Sequence, residues 1–408
     1  MNLLFAWRYF RAKKSTNAIN IIAWVSMTAI VVGAAALILV LSVFNGFEDL
    51  VKSLYSSFYP DMKISPVSGK TLTLTQEQLN RLTAIKGVKA VSLIAEDKAL
   101  LENGDTKLPA FLKGVDNNFT KVSGVGARVE HGSFDLGTDE HPLAILGSGI
   151  ESALGIEADR ALLPLGVYIF RKGNGTDYST DPATFVSHES MATSGVFRIQ
   201  QDFDDNYVIT NMAFVKRMLG LQPDEYTGIE LAVTDNQLTE MVRQQITAIL
   251  GKAYRVQTRY QQNQNLYTVM GTEKWFIYIV LTLILVVAAF NMVGALTMLV
   301  WEKQKDIHVL KALGASSGLV QKIFLTEGML LGLLGGMIGM LLALVICLLQ
   351  LKYKLIPLQG DSFLIDYYPV KLVATDFLLV LGTILVVALL ASWIPARKAA
   401  AQAIELKS

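Results

Sequence analysis

Residues 275–318 read WFIYIVLTLILVVAAFNMVGALTMLVWEKQKDIHVLKALGASSG. From Trp275 to Trp301 there is no charged side chain; then Glu302, Lys303, Lys305 and Asp306 follow almost at once. A helix needs about 20 apolar residues to cross the ~30 Å hydrocarbon core. A charge near its centre costs roughly 3 kcal/mol on insertion scales. The stretch therefore reads as a membrane-spanning helix that runs into a charged aqueous segment. Three other windows are equally free of charge: 15–47, 328–351 and 377–396. Spans are expected near 20–46, 275–300, 326–350 and 376–395.

Composition agrees. The chain of 408 residues is 52% hydrophobic and 17% charged, against roughly 25% charged for a soluble domain. The deficit is confined to the four windows. The formal net charge of +1 argues against nucleic acid as a partner. The one cysteine, Cys347, cannot form an intramolecular disulfide and reads as a small buried hydrophobe. The first apolar stretch is longer than the 7–15 residues typical of a signal-peptide core. No small-residue cleavage site follows it, so it reads as a retained span.

Lysine and arginine near the span ends set the orientation. Arg8, Arg11, Lys13 and Lys14 precede the first span. Lys303, Lys305, Lys311 and Lys322 lie between the second and third, and Arg397, Lys398 and Lys407 follow the fourth. These segments belong in the cytoplasm with both termini. The long segment between the first two spans then lies outside. The domains expected are 1–47 (N-terminal segment and first span), 48–273 (extracytoplasmic) and 274–408 (three spans and a cytoplasmic segment at 301–318).

Within 48–273, a strand at 61–67, a helix at 75–86 and strands near 88–95 and 108–115 form one set. Thr75-Gln76-Glu77-Gln78 is a capping box and Gly87 a stop. A strand at 228–234, a helix at 236–250 and a strand at 253–258 form another, opened by Thr234-Asp235-Asn236-Gln237 and closed at Gly251. Together they suggest a split β-α-β sandwich with a β-rich inserted subdomain at about 117–222. The fold class is thus an α-helical membrane protein with four transmembrane helices plus a large α+β extracytoplasmic domain. Residues 171–195, polar and Gly-rich, read either as a surface loop or as a protruding arm. Gly332, Gly335, Gly336 and Gly339 form two overlapping GxxxG patterns, for a helix contact within the chain or between copies.

No enzymatic constellation emerges. Gly69-Lys70-Thr71 lacks the first glycine of a phosphate loop, since Ile64 stands there. There is no GxSxG elbow. His131, His141, His188 and His308 show no metal-ligand spacing. No charge lies mid-span to mark an ion path. The chain reads as a moving part that borrows its energy.

In 301–318, helical spacing sets Ile307, Leu310 and Leu313 on one stripe. Glu302 with Lys305 and Lys303 with Asp306 are i, i+3 neighbours, and Gly314 is a stop. The segment is expected to prolong the second span as a stiff amphipathic rod. Two roles stay open on physics alone: a helix on the lipid surface, or an end that docks into a partner's groove.

Three blocks resemble the lipoprotein-releasing ABC transporter permeases (the LolC/LolE family) of the wider MacB/FtsX-type superfamily. They are Ile22-Ala23-Trp24-Val25-Ser26 running on to Asn45-Gly46-Phe47-Glu48, Ala289-Phe290-Asn291-Met292 through to Leu313-Gly314-Ala315, and Pro395-Ala396-Arg397-Lys398. Gln402-Ala403-Ile404-Glu405 departs from the family's Pro-x-Glu. Gly147-Ser148-Gly149 and Gly195-Val196-Phe197 fit only loosely.

The resemblance implies a non-enzymatic permease subunit in the bacterial inner membrane. A dimer of a separate ABC ATPase would supply hydrolysis and hold the ATP and magnesium, with no cofactor on this chain. A second permease, a copy or a paralogue, would complete the pair. Glu302, Lys303, Lys305, Asp306, Ile307, Leu310, Leu313 and Gly314 would couple to the ATPase. A lipoprotein's lipid anchor would enter a cavity lined by Val40, Val43, Phe44, Phe47, Phe290 and Met292, positions that also suit contact with membrane lipid or ordinary packing. Closure would pass the lipoprotein to a soluble periplasmic carrier docked on an arm at about 171–194, through Arg171, Lys172, Tyr178 and Phe185. The alternatives are MacB-type efflux and an FtsX-type mechanical regulator that transports nothing.

Overall fold

The computed structural model describes residues 17–157, 164–170, 186–358 and 365–401. Its helices of two turns or more are α1 (Asn17–Phe58), α2 (Gln76–Thr83), α3 (Ser148–Leu154), α4 (Met212–Leu219), α5 (Thr239–Leu250), α6 (Gln264–Glu302), α7 (Gln304–Ala312), α8 (Ser317–Tyr353) and α9 (Ala374–Ala401). Its strands are β1 (Met62–Pro66), β2 (Leu72–Thr73), β3 (Val88–Asn103), β4 (Thr106–Val115), β5 (Val129–Gly132), β6 (Leu143–Gly147), β7 (Leu165–Phe170), β8 (Val186–Phe197), β9 (Tyr207–Asn211), β10 (Glu225–Tyr226), β11 (Gly228–Val233) and β12 (Tyr254–Thr258). They fall into two compact units. One holds the spans; the other runs from Val51 to Tyr267.

In the membrane unit, α1, α6, α8 and α9 are each long and apolar enough to cross a bilayer. Ile30, Ala34, Leu37, Ile38 and Leu41 of α1 pack with Leu285, Ala289 and Met292 of α6 and with Ile384 and Ala388 of α9. Such spans associate by close packing, because lipid is as apolar as the interface. The glycines of α8 serve that end. A methyl group on Gly332 would lie 2.5 Å from Ala388 and one on Gly336 2.8 Å from Ile384, both on α9. On Gly335 it would lie 3.2 Å from Ile30, and on Gly339 2.9 Å from Ala34, both on α1. The two GxxxG rows thus face different helices of the same chain. Helices α1 and α6 run well past the apolar windows, which hydropathy alone does not reveal.

The α+β unit is built on one extended sheet in the order β12-β1-β11-β3-β4-β9-β6-β8-β5, with β7 bridging β3 and β8. Its first four strands pair antiparallel, the order of a β-α-β-β-α-β fold. Helices α2 and α5 contribute Leu82, Val242 and Ile246 to a core with Met62, Ile64, Ile229 and Leu231. The Thr75–Gln78 capping box forms as the sequence suggests. The second does not. Asp235 accepts from the Gln237 amide instead, a 3-10 turn follows, and α5 begins at Thr239 with no side-chain cap. The strands expected at 88–95 and 108–115 are longer than their apolar runs. They pair through Asn103↔Thr106 across a two-residue turn with Gly104 at φ 58°, the first-position glycine of a type II′ hairpin. The described strands within 117–222 form no sheet of their own. β9 pairs parallel with β4, and a second core of Leu101, Leu112, Leu146, Val167, Val196, Val208 and Phe214 spans the join.

Asp204 is buried here, its Oδ1 accepting from the Ile199 amide at 2.9 Å. Burial pushes its carboxyl up to about 6, against the backbone amides of Ile199 and Gln200. A carboxyl raised on folding stabilises the protein below its unfolded value and loses that contribution as pH rises through 6. The α+β unit is expected to gain about 1 kcal/mol between pH 7.5 and pH 5 from this group. Denaturant titrations at the two pH values, with Asp204→Asn as the control that should flatten the difference, check it.

Candidate functional site

No groups of acidic, histidine or cysteine side chains suited to hold a metal occur among the described residues. The features that bear on function are packed and ion-paired side chains.

Helix α7 is not a continuation of α6. The helix breaks at Lys303 (φ −90°, ψ 12°) before α7 starts. Packing explains the break. Ile307 is buried with Leu299, Val300, Val320, Phe324, Ala396 and Ala399, and the Lys311 ammonium donates to the Ala400 carbonyl at 2.9 Å. A straight prolongation of α6 would carry Ile307 away from that nest. Lys303 pairs with Asp306 at 3.3 Å. Leu310 is half-buried, but Leu313 is 81% exposed and Val309 59% exposed. Gly314, at φ 92°, ends the segment. The expected stripe is therefore split: Ile307 anchors the helix to the bundle, while Leu313 and Val309 present an apolar tip beside exposed Lys305. Glu302 is half-buried at the end of α6.

The proposed anchor-cavity residues separate similarly. Phe290 is 69% exposed and Val40 38% exposed. Val43, Phe44 and Phe47 are half-buried, with the Phe47 ring edge-on to Tyr368 at 5.9 Å. Met292 is fully buried in the bundle. Helical spacing explains it: two residues from Phe290 is about 200° around the helix, so they cannot share a face. Met292 packs inside the bundle, on the opposite side of α6 from Phe290.

Sequence reasoning missed a polar clamp at the opposite end of the bundle from α7. Lys274 Nζ donates to Asn45 Oδ1 at 2.8 Å and lies 3.3 Å from Asp376 Oδ1. Asn45 Nδ2 donates to Asp376 Oδ2 at 2.6 Å. Three spans are joined by one buried amide set between an ammonium and a carboxylate. Next to it, Gly46 lets the backbone of residues 369–370 cross: a Cβ there would lie 2.6 Å from the Val370 nitrogen. Lys371 pairs with Asp49, and its amide donates to the Ser42 carbonyl. The signal was present in the sequence, as Asn45-Gly46 in the first block and Lys274 and Asp376 bounding apolar windows, but not their meeting.

The arm is a β-hairpin at its base. β7 and β8 pair antiparallel from Leu165↔Met191 to Phe170↔Val186, so 186–194 is strand rather than loop. Arg171, Lys172, Tyr178 and Phe185 lie outside the described residues. Tyr168 stacks on His188 at 4.2 Å and donates to Glu102 at 2.6 Å, which ties the hairpin to the end of β3. That bond, with Lys107 beside it, holds the Glu102 carboxyl below its ordinary range.

A four-span bundle with a MacB-type α+β unit defines a class. Residues 23–249 match the MacB-like periplasmic core domain and residues 278–404 the FtsX-like permease C-terminal domain, and the chain belongs to this family of ABC transporter permeases. Its resemblance within that family is to LolC and LolE. It is 28% identical to the lipoprotein-releasing system transmembrane protein LolE of Haemophilus influenzae, over 97% of this chain and 96% of that one. It is 29% identical to LolC of Neisseria meningitidis serogroup B, again over 97% and 96%. A pyoverdine export ATP-binding/permease protein, PvdT of Pseudomonas syringae pv. syringae, is 24% identical over 83% of this chain and 50% of that protein.

Proposed function

We propose that the chain is the permease of an ATP-driven system that lifts lipoproteins from the outer leaflet of the bacterial inner membrane and hands them to a periplasmic carrier. The observation that carries this reading is similarity along nearly the whole chain to two permeases named for lipoprotein release. Both termini and α7 are cytoplasmic, in line with the lysines and arginines beside the spans. An ABC ATPase dimer binds ATP and magnesium and closes. The tip formed by Val309 and Leu313 receives that motion, and the packing of Ile307 against α6, α8 and α9 passes it to the bundle. A second permease, identical or paralogous, faces this one. The exposed face of α1 and α6, with Val40 and Phe290, meets the acyl chains. Moving those chains from lipid costs ~0.8 kcal/mol per CH₂, so a receiving apolar surface is needed. The carrier docks beside the β7–β8 hairpin.

The test is reconstitution in proteoliposomes with an ABC ATPase, the carrier and a lipoprotein. ATP-dependent appearance of lipoprotein on the carrier is the expected result; release of a soluble small molecule instead favours export of the kind that PvdT is named for. In the same assay Leu313→Glu places a charge at the docking tip and is expected to cut permease-stimulated ATPase activity and release at least about tenfold, the effect of ~1.4 kcal/mol. Reversal at Lys305 should act in the same direction. Full stimulation by Leu313→Glu would remove α7 from the coupling path.

A further inference from the structure

We propose that residues 352–358 with 365–368, between α8 and α9, form a membrane-interface hairpin that binds anionic phospholipid through Lys352 and Lys354; its assignment to the outer leaflet rests on the orientation proposed above. Lysines concentrate on the cytoplasmic side of a bundle, so lysines at the other end need a partner. Lys371 has one, Asp49. Lys352 and Lys354 are exposed, and among the described residues neither pairs with a carboxylate, exposed Asp366 of the same hairpin included. Each ammonium lies over an aromatic face instead, Tyr353 at 5.2 Å and Tyr367 at 4.1 Å.

Hydrogen bonding fixes the depth of the hairpin. Gln350 is buried one residue inside the end of the charge-free window 328–351. Its Oε1 accepts from the Ile356 amide at 3.0 Å, and its Nε2 donates to the Ile356 and Tyr368 carbonyls at 3.2 and 3.1 Å. The Tyr368 amide donates to the Ile356 carbonyl at 3.1 Å, and Pro357 bridges antiparallel to Tyr367. The chain leaving α8 therefore doubles back to the level of its last turn. Backbone at the hydrocarbon edge must find its partners within the protein, and the Gln350 amide supplies them. Tyr353, Leu355 and Ile356 are each more than half exposed there. Apolar and aromatic side chains with ammonium groups beside them are the composition of an interfacial anchor.

The occupant is lipid because this surface continues a lipid-facing one. Leu341, Val345 and Leu348 are exposed along α8, and Lys352 is the next position on their stripe at helical spacing. Charge then selects among lipids. A zwitterionic headgroup brings its own cation to the phosphate, whereas an anionic one leaves the phosphate to the lysines. Lys354 adds a second sign. It caps α8 at φ 50°, in the left-handed region that glycine adopts freely and a residue with a Cβ does not. The turn alone would be better served by glycine; the ammonium is what lysine adds.

The experiment uses the full chain with Cys347→Ala and Leu355→Cys, labelled at the introduced thiol with an environment-sensitive dye, in phosphatidylcholine nanodiscs. A minor share of the lipid is spin-labelled near the glycerol, as phosphatidylglycerol or as phosphatidylcholine. The local enrichment read from quenching is expected to favour phosphatidylglycerol at least about fivefold, the effect of one lysine near an anionic surface, and to fall in high salt. Lys352→Gln with Lys354→Gly should bring the two lipids to parity. The glycine relieves the turn, so loss of fold does not account for that result. Equal quenching by the two lipids before these changes overturns the anionic site, as does an unchanged preference after them. No quenching by either lipid places the hairpin in water and overturns the anchor too. Protease added to spheroplasts checks the orientation separately: an α+β unit shielded from it overturns the outer-leaflet assignment and the lipoprotein reading, whatever the lipid preference.

Discussion

Lys113→Met will destabilise the α+β unit by about 3–5 kcal/mol, and Lys113→Met with Glu230→Leu will recover most of that loss. The side chains of Lys113 and Glu230 are 2% and 1% exposed and meet at 2.7 Å. The ammonium lies 5.0 Å from the centres of the Phe58 and Phe119 rings. Glu230 also faces Lys63 across the β1–β11 pairing, but its contact at hydrogen-bond distance is with Lys113, whose charge the two ring faces support. Removing the lysine leaves Glu230 buried without its hydrogen-bonded cation, with Lys63 acting on it only electrostatically and with no donor to its Oε2 among the described residues. Removing both charges removes the desolvation cost with the attraction. Hydrogen exchange in β1, β4 and β11 is the direct measurement. Near-equal stability of wild type and Lys113→Met would mean that the pair is hydrated in solution.

Asp376→Ala will destabilise the membrane unit by an amount near the lower end of ~3–5 kcal/mol, because Lys274 keeps some access to solvent. The carboxylate holds both the Asn45 amide and the Lys274 ammonium, so its loss strands two partners on two helices. Lys274→Met combined with Asp376→Leu should restore most of the stability. Cys347 gives a convenient readout. It is the single cysteine of the chain, buried in α8, so its reaction with a thiol dye on heating in detergent reports opening of the bundle. Unchanged thiol exposure in Asp376→Ala would show that the clamp contributes nothing to stability.

The spans were legible because a bilayer enforces composition: little besides a hydrocarbon environment keeps charge out of so long a window. The capping box at Thr75 was legible because it is local. What escaped was long-range. Lys274 lies 229 residues from Asn45, and Asn45 lies 331 from Asp376, so each looked like an ordinary polar residue at a span edge. Lys113 sits in a strand whose local pattern gives no hint that a lysine turns inward. The parallel pairing of β4 with β9 joined regions that composition suggested were separate. Within α7 the period was right, but three apolar positions on one stripe do not say which is anchored and which is presented. Only the packing around Ile307 separates it from Leu313. The grouping of Phe290 with Met292 fails for a simpler reason, since a helix turns the two side chains to opposite sides.

The crossing of residues 369–370 over Gly46 has a kinetic meaning. Two backbones touch there with no side chain to yield, so a slide of α1 along its own axis would drive its neighbours, all of which carry a Cβ, into a peptide group. With α1, α6 and α9 also laced together beside it, shear between these spans is blocked at that rim and only pivoting is left. Under the coupling proposed above, the bundle would work as a hinged lever, with the length of each stroke set by how far the opposite end, where α7 sits, is allowed to swing.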